Sequence, residues 1–574
     1  MMKIKGILFT VLLIALTLLI VLVFVRKQGS GTRITISYPF NHALFPPEFP
    51  APTFEWQSKI ANPAMWEVAL ITRNKKYVLN LITKEPKWTP AASAWDSIKK
   101  LSDNDNIYFR VTRMGTKIHS RQVTFRISRD SVNAPVMYRQ MPLPSALAEK
   151  KLDSMSFMLI NFGSTKPPHA AMKGFPVCGN CHSFTADGGT IALDLDAGLR
   201  DKGGYFISPI RDTVLFNIDN FRSWTRIEKR RTFGLFSKIS PDGRYVVTTV
   251  KDRVVFLNYP FDSYQHFVYS QLFFPVNGHL AVYDRRTGEL KELPGANLEK
   301  YVQSNPIWTP DGKNIIFSRA DALPRDSDEY EIVIKDKDLI NQYVERKKLV
   351  KFNLCMIPFN EGNGGKAVPV KGASDNGKSN YFPAVSPDGK WLVFCRAESF
   401  MLLMPDSRLY IVPVEGGRAR ELRSNFSSLN SWHSWSPNSK WIVFASKGLG
   451  AYTDMFLTHI DNEGNASIPV LVDKARAYYK VINYPEFVNR KPEKTFVMEY
   501  DYVELAHIKR TLEKVGKEKA IQLFHQLEQQ QPFLFSEDCL ELSTMLERMG
   551  LKDEARKYAE RAKETNDQTI FTKQ

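Results

Sequence analysis

Two cysteines and a histidine form the most chemically suggestive cluster in the sequence, within FPVCGNCHSF at residues 175–184. Cys178 and Cys181 are separated by two residues, and His182 follows directly. This Cys-x-x-Cys-His spacing is the signature of covalent haem c attachment. The two thiols would add to the two vinyl groups at one porphyrin edge, and the imidazole would ligate the iron. We expect one covalent haem c, held by Cys178 and Cys181, with His182 as the proximal iron ligand.

Two other interpretations of the cysteine pair stay open. A disulfide or a thioredoxin-like dithiol would use the same residues, but that motif needs a strand-to-helix context. Here the residues that follow alternate between apolar and polar, which indicates a strand. A zinc site would need two further ligands at suitable spacing. The remaining cysteines, Cys355, Cys395 and Cys539, are isolated in the sequence.

The N-terminal segment is long enough to cross a membrane. Ile7 to Val25 contains 19 residues without a charge, and at about 1.5 Å per residue it nearly spans a hydrocarbon core of about 30 Å. It runs into Arg26 and Lys27 without a small-x-small cleavage motif, so residues 1–27 are expected to be an uncleaved anchor. A cleaved signal peptide is the alternative. Because haem c is attached outside the cytoplasm, we expect an inner-membrane protein with its bulk in the periplasm.

Five segments in the middle of the chain repeat one pattern. They are FTADGGTIALDL from Phe184, ISPDGRYVVTTV from Ile239, WTPDGKNIIFSR from Trp308, VSPDGKWLVFCR from Val385 and WSPNSKWIVFAS from Trp435. Each has a tight-turn sequence around Asp or Asn, followed by the alternating residues of a strand. The turn residues are 50 to 77 positions apart, which suits four-stranded propeller blades with loop insertions.

These repeats, together with DSRLYIVPVEGGRARELRSN at 406–425, resemble the TolB-like, WD-type β-propeller family. The resemblance implies a six-bladed propeller over about 145–490 that binds partners and need not be an enzyme. No Gly-x-Ser-x-Gly elbow accompanies it. Five blades are visible as repeats, so we expect residues 140–175 and 465–490 to complete the sixth.

The repeat alignment also suggests a distal iron ligand. HSFTADGGTIAL from His182 aligns without gaps with HSWSPNSKWIVF from His433, so both histidines are five residues before the turn residue. Equivalent positions of a propeller converge on its central channel, and His182 and His433 are therefore expected to face the same space. The rival distal ligands are Met172, Met158, Met155 and His169, and a five-coordinate iron is a further alternative.

The flanking segments have different patterns. Residues 33–130 contain short alternating stretches such as TRITISYPF, MWEVALITR and NIYFRVTR, and they resemble a fibronectin type III or immunoglobulin-like β-sandwich. Residues 497–568 have helical periodicity. Two similar units begin at Gly516 and Gly550, which are 34 positions apart, and this is the tetratricopeptide period. The fold class is thus mainly β, with a helical tail.

Composition limits the classes of function. The chain has 574 residues and a net charge of +17, but its basic residues are scattered and no nucleic-acid-binding motif accompanies them. We expect a membrane-anchored, extracytoplasmic haem c protein that transfers electrons or senses through haem within an envelope complex. Its propeller and tail would contact protein partners. The alternatives are a scaffold propeller in which haem is structural or absent, and a peroxidase-type haem enzyme.

Overall fold

The structure is a computed structural model that describes most of the chain. The described ranges are 34–58, 65–72, 78–102, 105–114, 119–143, 154–174, 178–196, 203–258, 271–324, 332–334, 336–400, 404–530 and 534–571. They are mainly β, with helices at the C-terminus. The contacts divide the chain into two compact units, one up to residue 129 and one from 130 onward, with Glu48–Pro50 belonging to the second.

The expected membrane anchor, residues 1–27, lies outside these ranges. In the part of the chain that the structure does describe, no helix is both long and apolar enough to cross a bilayer.

The first unit contains two sheets joined by aromatic rings. Its elements are β1 (Ile34–Tyr38), β2 (Ala43–Phe45), β3 (Phe54–Ser58), β4 (Trp66–Thr72), β5 (Val78–Thr83), β6 (Lys87–Trp88), α1 (Ala92–Ser102), β7 (Ile107–Arg113) and β8 (His119–Ile127). One sheet has the order β1-β3-β6 and the other has the order β2-β8-β7-β4-β5. Phe54 of the first sheet lies 4.5 Å from Phe109 and 5.9 Å from Phe125 of the second, measured between ring centroids.

Helix α1 was not predicted, since only strands were expected in this segment. Trp95, Ile98 and Ser102 are its buried residues. Their spacing of three and four places them on one face of a helix. The Trp95 ring stacks on Phe125 with 5.9 Å between centroids, so the helix buries its apolar face against the aromatic core of the sheets.

The described part of the second unit contains six sets of four strands, each set arranged like a propeller blade. We call each set a sheet, and a bridge between Gly278 and Val302 links the third sheet to the fourth. The first three sets are β9 (Val136–Pro142), β10 (Ser156–Ile160) and β11 (His169–Lys173) with β34 (Lys480–Phe487); β12 (Cys178–Phe184), β13 (Thr190–Asp196), β14 (Gly204–Pro209) and β16 (Phe221–Ser223); and β17 (Lys238–Ile239), β18 (Tyr245–Asn258), β19 (Gln271–Asp284) and β20 (Glu289–Glu292). The other three are β21 (Tyr301–Trp308), β22 (Asn314–Asp321), β24 (Asn353–Pro358) and β25 (Val368–Pro369); β26 (Ser379–Val385), β27 (Trp391–Ala397), β28 (Arg408–Pro413) and β29 (Arg420–Glu421); and β30 (Asn430–Trp435), β31 (Trp441–Ser446), β32 (Asp454–His459) and β33 (Val470–Leu471).

Three smaller strands complete the described sheets. They are β15 (Thr213–Asn217), which pairs in parallel with β35 (Val497–Asp501), and β23 (Val333–Ile334), which pairs in parallel with β18. The short helices of this unit are α2 (Trp224–Glu228), α3 (Lys337–Val344) and three 3-10 turns at Ile218–Asn220, Asn360–Gly362 and Asp473–Ala475.

One sheet combines distant parts of the chain. β34 pairs antiparallel with β9, from Lys480 opposite Pro142 to Phe487 opposite Val136. This sheet draws on the two segments that were expected to supply the strands missing from the repeats. Because β9 precedes the repeats and β34 follows them, their pairing joins the start of the series of sheets to its end.

The five repeated turns share one hydrogen-bond network. In each, a buried Ser or Thr hydroxyl donates to the turn Asp or Asn at 2.5–2.6 Å. The same oxygen accepts from the backbone N–H five residues later at 2.9–3.0 Å. In four turns the next residue is a glycine with φ between 66° and 76°, while Ser439 with φ 59° takes this place in the fifth. The turn Asp or Asn also accepts the backbone N–H two residues later, at 2.8–3.2 Å, so local hydrogen bonds hold each of the predicted tight turns.

The C-terminal residues form four helices that pack on one another. They are α4 (Leu505–Lys514), α5 (Lys517–Gln529), α6 (Ser536–Met549) and α7 (Lys552–Phe571). Ile508, Phe524 and Leu542 are completely buried in their shared core. Arg231 lies between α2 and β17 and forms an ion pair with Glu537. Its guanidinium carbon lies 5.5 Å from the centroid of the Phe535 ring. At least one face of the tail is thus packed against the strand-rich part of the same unit.

The turn network gives a prediction for stability. Ser386 is completely buried, and replacing it with alanine removes the acceptor of the Trp391 N–H and one of the two hydrogen bonds that the Asp388 Oδ1 atom accepts, the other coming from the Lys390 N–H. We expect Ser386→Ala to lower the free energy of unfolding by about 1–3 kcal/mol, because the turn would lose two hydrogen bonds and leave a partly buried N–H unpaired. Urea unfolding followed by tryptophan fluorescence measures the change. Ser93→Ala, at an exposed helical position, is the control and should change the value by less than about 0.5 kcal/mol. Equal midpoints for the two variants would contradict the prediction.

Candidate functional site

The Cys-x-x-Cys-His motif lies on β12 (Cys178–Phe184) at the edge of its sheet. The pairing with β13 slips just before His182, where Asn180 and Cys181 together oppose Asp194. Such a bulge inserts one extra residue and re-aims the neighbouring side chains. The motif is therefore presented by an irregular strand.

The imidazole of His182 is buried among aromatic rings. Only 1% of the residue is exposed, and the ring centroids of Phe157, Phe184 and Tyr484 lie 6.1, 5.6 and 5.4 Å from it. Neither ring nitrogen has a hydrogen-bond partner. Burial, with a contribution from the Lys238 charge, lowers the pKa of His182 to about 3. The imidazole is thus neutral at physiological pH.

These properties fit the donor that haem iron requires. A metal-binding histidine must be deprotonated and must have a free nitrogen lone pair, and His182 meets both conditions. The backbone of Met137 opposes the lowering of the His182 pKa, but it does not form a hydrogen bond with either ring nitrogen of His182. The partly exposed Phe184 contacts the imidazole in an edge-to-face arrangement. A porphyrin would reach a ring nitrogen only after movement of at least one aromatic ring.

Cys181 has a free thiol within the described structure. Burial raises its pKa to about 12, and the negative charge of Asp194 contributes to the rise. The thiol is therefore protonated at physiological pH. The side chain of Cys178, the other predicted attachment residue, lies outside the described part of the structure.

A lysine that was not predicted holds the motif in place. The Lys238 Nζ atom donates to the His182 carbonyl at 3.1 Å and to the Glu486 carboxylate at 3.3 Å. It also lies 4.9 Å from the centroid of the Tyr484 ring. Because these residues belong to β17, β12 and β34, one ammonium group connects three sheets. The signal that could have identified Lys238 is its position four residues before a turn Asp. The equivalent residues of the other repeats are Ser183, Ile307, Ala384 and Ser434.

Two carboxyl groups near this lysine are half-buried. Burial raises the pKa of Glu486, while the Lys238 ammonium acts in the opposite direction. Burial also raises the pKa of Asp194 well above its usual range. These groups make the surroundings of the motif polar on one side, whereas His182 itself contacts aromatic rings.

A cavity of about 330 Å³ lies where the six sheets meet. Its lining comes from the strand or strand end that precedes each turn, with one contribution from every sheet. The contributing stretches fall within residues 183–186, 236–241, 305–310, 382–387, 432–437 and 484–489. Equivalent positions of the repeats therefore converge on one channel, as the repeat pattern predicted.

His433 lies at this channel, but His182 is not among the lining residues. The expectation that both face one space was wrong because the bulges differ. In β30 the two bulged residues are Trp432 and His433, whereas in β12 the bulge comes one residue earlier and His182 pairs with Leu193. Since side chains alternate along a strand, a shift of one residue turns a side chain to the other face.

His433 makes contacts typical of a structural histidine. Its Nε2 atom lies 3.2 Å from the Val393 carbonyl oxygen, and its Nδ1 atom lies 4.0 Å from the Cys395 sulfur. One edge of His433 faces the channel. The surrounding protein removes water from the rest of the side chain, and this burial lowers the pKa of His433 to about 4. Its ring nitrogens are thus occupied, in contrast to those of His182.

Met158, Met172 and His169 lie in the sheet of β9, β10, β11 and β34, and Met155 directly precedes β10. Met172 pairs with Phe157 across β10 and β11 and is part of a buried apolar cluster. Met155 belongs to a separate apolar cluster, Met158 is half-buried, and the Nε2 atom of His169 is buried without a partner. Met172 is thus the methionine that lies beside a ring in contact with His182.

The remaining thiols do not approach a metal site in the described ranges. Cys355, Cys395 and Cys539 are each completely buried and free. Within the same ranges, no three His, Cys, Asp or Glu side chains converge as a metal-binding group.

Comparisons with known proteins concern the fold. The chain is structurally similar to TolB-like and other β-propeller proteins. TolB from Acinetobacter baumannii is 13% identical, with 70% of this chain and 86% of that chain covered and a TM-score of 0.38. An oligogalacturonate lyase in complex with manganese is 12% identical, with 58% and 72% covered and a TM-score of 0.31. A periplasmic gluconolactonase from Pseudomonas aeruginosa is 12% identical, with 58% and 81% covered and a TM-score of 0.30. No protein-family model matches the chain, and no curated protein sequence is detectably similar to it. Overlaps of this size identify no activity or ligand.

His433, which is half-buried, gives a prediction for pH dependence. Its folded-state pKa of about 4 is below the unfolded value of about 6.5, so the unfolded state binds the proton first as the pH falls. Stability is therefore lost on acidification through pH 6.5. Between pH 7 and 5 this residue should contribute about 1–2 kcal/mol of that loss. His433→Gln keeps a donor for the Val393 carbonyl but does not titrate. Urea unfolding at both pH values should show a smaller loss for the variant, and an equal loss would contradict the assignment.

Proposed function

We propose that this chain is a c-type haem protein in which Cys178 and Cys181 carry one covalent haem and His182 ligates its iron. The observation that carries the proposal is the state of His182. A completely buried imidazole, neutral and with both nitrogens unpaired, directly follows the second cysteine of a haem-attachment spacing. A buried histidine with no ligand would normally find a hydrogen-bond partner.

The haem, when bound, would supply one-electron redox chemistry or the binding of a small ligand to iron. The chain's own residues have separable roles. Lys238 fixes the backbone of His182 through its carbonyl and connects it to Glu486. The aromatic residues Phe157 and Tyr484 exclude water from the imidazole and so keep it neutral.

We further infer a six-bladed, TolB-like propeller with a fibronectin- or immunoglobulin-like domain before it and a tetratricopeptide-like tail after it. Six sets of four strands and six strand ends around one cavity support this architecture. Residues 1–27 would anchor the chain in the inner membrane with its bulk in the periplasm. The scattered positive charge, +17 in total, suits protein partners with acidic surfaces in an envelope complex.

Electron transfer or haem-dependent sensing is the activity we favour over a scaffold role. In an electron carrier the haem potential would respond to its surroundings, whereas in a sensor the reduced iron would bind carbon monoxide. A scaffold would keep its partners after the haem is lost. Redox titration and carbon monoxide binding by the purified full chain distinguish these roles, and a peroxidase activity would require an open iron site.

Covalent attachment is tested with cysteine variants. We expect the full chain, matured in a host that attaches haem c, to retain haem after denaturing electrophoresis and to give a pyridine haemochrome spectrum. Cys178→Ser with Cys181→Ser should abolish the haem-stained band, because no thioether can form. His182→Gln should reduce haem content or change the spin state.

Cys395→Ser is the matched control for this experiment. Cys395 is a completely buried cysteine whose pKa burial also raises to about 12, but it is outside the motif. This variant should keep its haem band. A wild-type protein with free, titratable thiols at 178 and 181 and no haem would exclude the proposal.

The proposed topology has its own test. Protease added to spheroplasts should digest the bulk of the chain, because residues after Lys27 are expected outside the cytoplasm. N-terminal sequencing of the membrane-bound protein should still find residues 7–25. A soluble product that begins after Lys27 would show a cleaved signal instead.

A further inference from the structure

Strand β5 (Val78–Thr83) is an edge of the larger sheet in the first unit. That sheet has the order β2-β8-β7-β4-β5, so β4 is the one strand paired with β5 in the part of the chain that the structure describes. The other side of β5 presents backbone N–H and C=O groups that no described strand pairs. Such an edge can accept a further strand.

β5 lacks the features that normally protect an edge strand from pairing. Its sequence, Val-Leu-Asn-Leu-Ile-Thr, contains no charge and no proline, and its register with β4 has no bulge. Several edge strands of the second unit differ in this respect, since β20 (ELKE) and β29 (RE) are charged and β25 (VP) contains proline. A regular, uncharged edge of six residues is a template for pairing.

Apolar side chains are exposed along this edge and beside its end. Val78 is 49% exposed and Ile82 is 55% exposed. Met65 directly precedes β4 and Met114 directly follows β7, and both are also exposed. These two methionines border the end of β5, because the first residue of β4 pairs with the last residue of β5 and with the last residue of β7. Four of the five exposed large apolar side chains described in the first unit are therefore on β5 or next to it.

The order of residues along β5 is complementary to itself. When two copies of β5 pair antiparallel with Asn80 opposite Asn80, Val78 lies opposite Ile82 and Leu79 lies opposite Leu81. A shift of either strand by two residues would place Asn80 opposite Val78 or Ile82. A shift by one residue would place the core side of one sheet beside the outer side of the other, since side chains alternate along a strand. One register thus matches each apolar residue from 78 to 82 with another.

We propose that β5 pairs antiparallel with β5 of a second copy of this chain, about a two-fold axis that passes through Asn80. The pairing joins the two five-stranded sheets into one continuous sheet. A two-fold contact requires a surface that is complementary to itself, and β5 meets this requirement, whereas the strand of a different protein would not need it. The surface requires neither haem nor a membrane anchor and is independent of the function proposed above.

A cysteine at the two-fold axis tests the pairing on the full chain. With Asn80→Cys the two thiols face each other, because directly opposite Cβ atoms of an antiparallel pair are about 5 Å apart, close to the separation in a disulfide. Mild oxidation should give a dimer band on non-reducing electrophoresis that disappears on reduction. The wild-type chain, treated in the same way, should give no such band.

Val78→Cys and Ile82→Cys are matched controls, since all three positions are exposed on the same strand. Each control alone should stay monomeric, because its two copies would be roughly 14 Å apart, but an equal mixture of the two should cross-link. Asn80→Cys that cross-links no better than either control would overturn the proposal. Cross-linking to a different protein in membranes, without the dimer band, would overturn it in favour of a strand from that protein.

A charge at the axis should separate the two copies. The contact is limited to one edge strand and its borders, so we expect a reversible dimer with a Kd on the order of micromolar. Asn80→Lys places two ammonium groups opposite each other and should raise the Kd about tenfold or more, measured by sedimentation of the detergent-solubilised full chain. Ser93→Lys adds the same charge at an exposed position of α1 and should keep the wild-type Kd. A wild-type chain that stays monomeric at about 100 µM, well above that Kd, would also overturn the proposal.

Discussion

The pairing of β9 with β34 is the constraint on which the second unit depends. It brings together residues more than 330 positions apart, such as Gln140 and Ile482, and gives the first and last strands of the series a shared ladder. Without it, each would present an unpaired edge to solvent. Because the sheets between them follow in chain order, this one ladder requires their inner strand ends to face a common axis. The cavity is a consequence of that geometry.

The same geometry explains why the inner strands are irregular. Each of five such strands, β12, β21, β26, β30 and β34, carries a register shift a few residues before its turn. A bulge increases local twist and lets a strand bend where the sheets converge. Its position then decides which side chains enter the channel. A shift by one residue in β12 is enough to direct His182 into the aromatic cluster while His433 remains at the cavity.

Local features of this fold were predictable from sequence, and non-local ones were not. The turns at Asp242, Asp311 and Asp388 are built from hydrogen bonds within six residues, so their sequence specifies them. The helix α1 was missed because Trp95 and Ile98 mark a helical face only when the aromatic core beside them is known. The environment of His182 depends on Lys238 and Tyr484, which are 56 and 302 positions away in the chain. The periodic patterns of a sequence predict local strands and helices, but they do not predict contacts over such distances. The motif predicts the type of site, but the strand register determines where its side chains point.

Satisfied and unsatisfied polar groups occur side by side along the inner strands. The turn hydroxyls next to the channel are buried, and each donates one hydrogen bond and accepts another, as Ser386 and Ser436 show. A few residues earlier on the same kind of strand, His182 and Asn305 are equally buried and have no partners. Each unpaired group costs about 1–3 kcal/mol, and an apolar side chain would avoid that cost. Ser304 and Tyr381, on two of these inner strands, also have an unpaired buried hydroxyl, so lack of a partner alone does not indicate a ligand. His182 differs from them because it directly follows the cysteine pair, and the iron proposed above would give its imidazole a partner.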